Sequence, residues 1–165
     1  MQYSNVVPGR FVSRPNRFLA QVETADGVQT CHVKNTGRCA ELLLPGAPVW
    51  LQRFGADAKR KTKFDLIAVQ KGALLLNIDS QAPTLRGIKH LEGLSRAAAQ
   101  GFACCVLFVV QFSPAAAFAP NRRTHPAFAD ALRAARDAGV RVLAYDCAVT
   151  PESMVLRAPV PVTGL

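Results

Sequence analysis

The first half of the chain sets short runs of alternating apolar and polar residues between Gly, Pro, Asn and Asp, the rhythm of strands joined by tight turns. Residues Arg17 to Glu23 alternate, Asp26-Gly27 marks a hairpin turn, and Val28 to Val33 returns as its second arm. Pro45-Gly46 makes another turn before a strand at Val49 to Leu51. Phe64 to Val69 and Ala73 to Ile78 supply two more, on either side of Lys71-Gly72. Strands this short and this closely spaced predict a small barrel.

The second half has a different period. Leu85, Ile88, Leu91 and Leu94 recur at helical spacing within residues 84 to 100, and Gly101 closes the helix they predict. Cys104 to Val110 is an unbroken apolar run of the kind buried on both faces of a sheet. Pro126 to Ala138 reads as a second helix ending at Gly139, and Arg141 to Tyr145 as another buried strand. Helices alternating with apolar strands predict an α/β half with parallel pairing.

Composition adds bounds to this picture. Half of the 165 residues are hydrophobic, ample for a folded core. The most apolar stretch, Phe102 to Phe112, is too short and too interrupted to span a membrane, and the start carries no signal-peptide pattern, so a cytoplasmic protein with no membrane partner is expected. Five cysteines, Cys31, Cys39, Cys104, Cys105 and Cys147, argue against a disulfide framework, and Cys31, His32 and Cys39 lack the second pair that structural zinc requires. The net charge of +9, spread over both halves, is the bulk property most telling of a partner, because a basic surface attracts polyanions.

Two basic clusters give that attraction an address. Lys59-Arg60-Lys61-Thr62-Lys63 lies between two predicted strands, where it serves either a run of phosphates or a solvated hairpin tip. His32 to Arg38 includes Asn35-Thr36-Gly37, a turn that either offers backbone N–H groups to a phosphate or satisfies them with its own side chains. Signs of catalysis are absent. The one acid-x-Lys, Asp57-Ala58-Lys59, sits in a loop, Asp79 ends a strand without a nearby partner in sequence, and His32, His90 and His125 accompany no nucleophile motif. No phosphate-binding Gly-rich loop appears, so no cofactor and no metal are expected.

Taken in order, Arg17-Phe18-Leu19-Ala20, Asn35-Thr36-Gly37, Leu44-Pro45-Gly46, Lys59-Arg60-Lys61, Asn77 to Pro83, Gly87-Ile88-Lys89-His90-Leu91 and Val142-Leu143-Ala144-Tyr145 resemble the sugar fermentation stimulation protein family (SfsA) over nearly the whole chain. The resemblance implies an N-terminal OB-like β-barrel, residues 1–83, then an α/β domain similar to PD-(D/E)xK nucleases, residues 84–165. It also implies DNA binding linked to regulation of sugar utilisation. One departure is large. Family members carry a long segment between the strand with Asn-x-Asp-Ser-Gln and the helix with Gly-x-Lys-His-Leu, whereas here Gln81-Ala82-Pro83 runs almost directly into Thr84-Leu85-Arg86-Gly87. In the family that segment holds the Arg-x-Asp and Glu-Val-Lys strands, so the chain resembles a member with an internal deletion and a truncated nuclease-like domain. No catalytic residue carries over.

The expectation is therefore a non-enzymatic module that binds nucleic acid, DNA rather than RNA. Arg17, Lys34, Asn35, Arg38, Lys59, Arg60, Lys61 and Lys63 would line one face of the barrel, with Phe18, Trp50, Phe54 and Phe64 as the available aromatics, most of them core. A shortened sheet would leave exposed apolar edges and favour self-association. The alternatives are a magnesium-dependent nuclease whose carboxylates escape recognition, and a remnant without function.

Overall fold

Strand β1 (Val6–Asn16) carries Pro8, Gly9 and Pro15, residues that argue against a strand, and the apolar pattern does not announce it. The sheet needs them. Over Val6 to Arg10 it pairs antiparallel with β4 (Pro48–Arg53), and from Arg10 onward with β2 (Leu19–Thr24). At Gly9 a Cβ would come within 2.5 Å of Val22 Cγ1 and 2.8 Å of the Glu23 carbonyl, so only glycine permits this approach. Pro15 falls where the register slips between Ser13 and Asn16, so its missing N–H costs no regular ladder bond. The computed structural model describes every residue except 36, 56–57 and 80–84, and residue 85 by its backbone alone.

Arg17 and Phe18, expected inside a strand, form the turn between β1 and β2. Asn16 Oδ1 accepts the N–H of Phe18 at 2.8 Å and of Leu19 at 3.1 Å, folding the chain back as an Asx turn does. The next hairpin is the predicted one: β2 pairs with β3 (Gly27–His32), and Gly27 takes the positive φ of 90° that the turn requires. β4 pairs with β5 (Phe64–Lys71), which pairs on with β6 (Leu74–Asn77). A parallel pairing of β3 with β5, Cys31 opposite Phe64, closes β1 to β5 into a five-stranded barrel of the expected OB type. Val22, Val33, Leu51, Leu66 and Val69 fill it, each with no accessible surface.

The chain divides into two compact units. The first comprises residues 1–82, 111–113 and 148–155, and the second residues 83–110, 114–147 and 156–165. In the second, α1 (Leu85–Ala99) and α2 (Pro126–Asp137) meet a sheet ordered β7 (Cys105–Val110), β8 (Arg141–Val149), β9 (Met154–Pro159), of which the last two residues of β8 and the first two of β9 count with the first unit. β7 and β8 are parallel, as predicted, and β9 went unforeseen. His125 caps α2, its Nδ1 accepting the Phe128 N–H at 3.1 Å, and Gly139 ends it at a φ of 94°. Leu91, Phe128, Leu132 and Val140 form the core, with Phe108 stacked on Phe118 at 4.3 Å between centroids.

β7 departs from its predicted burial. Val106 and Phe108 face the helices, but Cys105, Leu107 and Val109 are exposed, the latter two by 45% and 42%. A strand with layers on both faces would bury all six positions; among the described residues β7 is covered on one face only, whereas the next strand, β8, is buried at Ala144, Asp146 and Cys147 on both faces.

Candidate nucleic-acid interface

The arrangement of the predicted basic residues begins with an acid inside β5. Every position from Phe64 to Val69 is buried, and Asp65, fully inaccessible, is one of them. A buried carboxylate must be paired. Asp65 meets the Arg60 guanidinium, the Lys34 ammonium at 3.4 Å and His32 Nδ1 at 3.6 Å. Lys34 also lies 2.7 Å from Asp79, whose other oxygen accepts the Tyr3 hydroxyl at 3.1 Å, and Asn77 Nδ2 donates to the same hydroxyl at 2.9 Å. Asp79, unpartnered in sequence, thus finds its partners in Tyr3, ahead of β1, and in Lys34, in the loop after β3.

These contacts set the protonation states. Burial lowers the Lys34 ammonium, but the hydrogen bonds and charges of Asp79 and Asp65 outweigh it and hold its pKa above the ordinary value. Burial, with Asp79 adding to it against the Asn77 hydrogen bond, pushes the Tyr3 hydroxyl up to about 12. Burial and then Asp65 push the Cys31 thiol up to about 12, so it stays protonated at neutral pH. All five cysteines are free.

Arg14, not singled out by sequence, organises the neighbouring loops. From β1 its Nη1 donates to the carbonyls of Gly37 and Arg38 at 2.7 and 2.8 Å, and its Nη2 to those of Arg17 and Asn35 at 2.6 and 2.7 Å. One guanidinium so ties the β1–β2 turn to the loop after β3. Within that loop Asn35 Oδ1 accepts the Gly37 N–H at 2.9 Å, the self-satisfied form of the turn, while Thr36 lies outside the described residues. Only the five-donor geometry of arginine allows the clamp, and in sequence Arg14 is one basic residue among many.

The aromatics now separate. Phe64 is core at 4% exposure, Trp50 is half-buried on β4, and half-buried Phe54 carries the Arg60 guanidinium 4.0 Å from its ring centroid. Phe18 stands 45% exposed on the β1–β2 turn with Arg17 at 4.7 Å from its ring. It lines a cleft of about 420 Å³ together with Leu19, His32, Arg60 and Lys61. Of the predicted residues, the structure joins Arg17, Asn35 and Arg38 through Arg14, Lys34 and Arg60 through Asp65, and Lys61 through the cleft. Lys59 and Lys63 are exposed in the β4–β5 loop outside these contacts, and Asp57 lies outside the described residues.

A divalent cation requires several oxygen ligands aimed at one point. Among the described residues no three His, Cys, Asp or Glu side chains converge in this way. Asp65 and Asp79 share Lys34. Asp146, 1% exposed on β8, is held by Arg157 at 3.2 and 2.6 Å and by the Ala158 N–H at 3.1 Å. These acids do not fit a metal site. No helix among the described residues is long and apolar enough to cross a membrane.

Comparison with known proteins gives the arrangement its relatives. A family model described as the SfsA N-terminal OB domain matches residues 12–78, and one described as the sugar fermentation stimulation protein RE domain matches residues 80–153. A sugar fermentation stimulation protein homolog of Desulfitobacterium hafniense strain Y51 is 39% identical, covering 93% of this chain and 94% of that one. One from Clostridium beijerinckii is 34% identical, over 95% and 97%. The first of these alignments spans 217 residues against the 165 of this chain, so that relative carries a stretch without counterpart here. The solved structure of Pyrococcus furiosus SfsA in complex with Ca2+ superposes with a TM-score of 0.86 over 99% of this chain and 98% of that one, at 18% identity, which establishes the shared fold. The chain belongs to the sugar fermentation stimulation protein (SfsA) family.

Proposed function

We propose that this family member binds DNA through the barrel surface carrying Arg17, Arg38, Arg60 and Lys61, in the cytoplasm, and does not cleave it. The observation that carries the reading is the convergence of basic residues from three separate segments, held by Arg14 and Asp65, on a chain of net charge +9. The Arg60 guanidinium, held by Asp65 and the Phe54 ring, is pre-positioned to bind phosphate without first losing side-chain freedom, and Arg14 fixes the backbone from which Arg17 and Arg38 extend. Binding linked to control of sugar utilisation is the role that the family's name supports. The stretch absent here would be the one with the nuclease-like acids, and the acids that remain buried, Asp65, Asp79 and Asp146, are engaged by cationic side chains.

The match to an RE domain favours one rival, a magnesium-dependent nuclease. A single experiment separates them: affinity for single- and double-stranded DNA across a salt series, with and without Mg2+, followed by a gel of the products. Binding without cleavage is expected to weaken with salt at a log–log slope of about 0.9 per phosphate neutralised on duplex. Cutting that depends on Mg2+ would establish the nuclease. Absence of binding at low salt would reduce the chain to a remnant.

A further inference from the structure

We propose that Phe18 is a stacking platform for an unpaired base, which makes single-stranded DNA the preferred form of the ligand. This rests on the DNA-binding reading and specifies the form of the DNA.

Large aromatic rings are ordinarily buried, and the barrel follows that rule at Phe11 and Phe64, at 3% and 4% exposure. Phe18 breaks it at 45%, on a turn fixed from both sides: the Asn16 side chain holds its N–H, and Arg14 holds the carbonyl of Arg17. The exposed ring is therefore presented by a rigid support. Around it the chemistry matches a nucleotide rather than a protein side chain. The cleft lined by Phe18 and Leu19 is mostly apolar, as a base requires, and Arg60 and Lys61, which line it too, supply the charge that a backbone phosphate requires.

Arg60 is not a loose side chain. Asp65 grips it and the Phe54 ring lies under it, so its guanidinium is fixed beside the cleft before any ligand arrives. Arg17 lies against the Phe18 ring, and guanidinium, ring and base can form one stack. A paired base inside a duplex keeps its faces covered by its neighbours, and only an unstacked base can lie on the ring.

The test is the affinity of Phe18→Leu and Phe18→Trp variants for an oligothymidine, for a duplex, and for an abasic strand of equal length, with the melting temperature of each variant as the fold control. Phe18→Leu is expected to weaken oligothymidine binding by about 5- to 150-fold, the range for one base stacked on an aromatic ring, and to leave duplex and abasic binding unchanged. Phe18→Trp is expected to keep the affinity and to report the stack as fluorescence quenched by oligothymidine alone. Unchanged oligothymidine affinity in Phe18→Leu, with salt-dependent binding intact, overturns the platform and leaves the DNA-binding reading standing. An equal loss on all three ligands overturns it as well. No binding of any ligand by the unsubstituted protein overturns both.

Discussion

Lys34 and Arg60 each carry one positive charge with two uses: it neutralises buried carboxylates, and in the proposed reading it adds to the surface that meets phosphate. At Asp65 the internal duty comes first, because an ionised carboxylate with no accessible surface and no partner would cost several kcal/mol. The Tyr3–Asp79–Lys34 group makes this duty visible through pH. Both Tyr3 and Lys34 hold their protons more tightly in the folded chain than unfolded, so the stabilisation is complete below the unfolded values and is lost as pH rises through the folded ones. For Tyr3 that window runs from 10.0 to about 12. Urea unfolding between pH 9 and 12 should show the folding free energy falling, and Tyr3→Phe should remove on the order of 1 kcal/mol of that fall, allowing for solvent screening of a half-exposed group. Equal pH slopes in both proteins would show that the network does not couple to folding.

At the scale of elements, the proposed interface includes two loops that share one anchor. Arg14 reaches from β1 to four carbonyls in the β1–β2 turn and the loop after β3, so its removal frees both at once. Arg14→Met keeps much of the side-chain volume and loses every donor. It should cost about 1–3 kcal/mol of stability through unpaired carbonyls. It should also weaken DNA binding about tenfold, equivalent to about 1.4 kcal/mol, since Arg17 and Arg38 would have to be ordered on binding. Calorimetric melting and fluorescence anisotropy read the two effects separately, and unchanged affinity would remove Arg14 from the interface. The hairpin at Asp26-Gly27, both helices and the parallel pair β7–β8 were legible in the sequence because each follows from local period and turn chemistry. β1 was not, because Pro8, Gly9 and Pro15 suit its particular partners and offend the average strand. The basic residues were legible as a set. Their anchors were not, because Arg14, Asp65 and Asp79 take their roles from strands brought together only by closure of the barrel.

For the whole molecule, the exposed apolar row of the second unit bears on self-association. β7 is the edge strand of that unit's sheet, and alternate positions Cys105, Leu107 and Val109 face outward on the side away from the helices. A six-residue apolar strand with an open edge is a template for pairing with its own copy, and nothing in its sequence blunts it: it has no Lys, no Pro and no inward charge. Sedimentation velocity in reductant should therefore show a larger species that grows with concentration in the micromolar range. Leu107→Lys and Val109→Lys should return the protein to a monomer by placing a charge where a second strand would dock, with affinity for DNA retained because the substitutions lie outside the barrel. Cys105→Ser separates strand pairing from disulfide cross-linking, since it abolishes only the latter. A monomer at every concentration would mean that the exposed row is tolerated as it stands. A larger species that survives both lysine variants would place the contact elsewhere on the molecule.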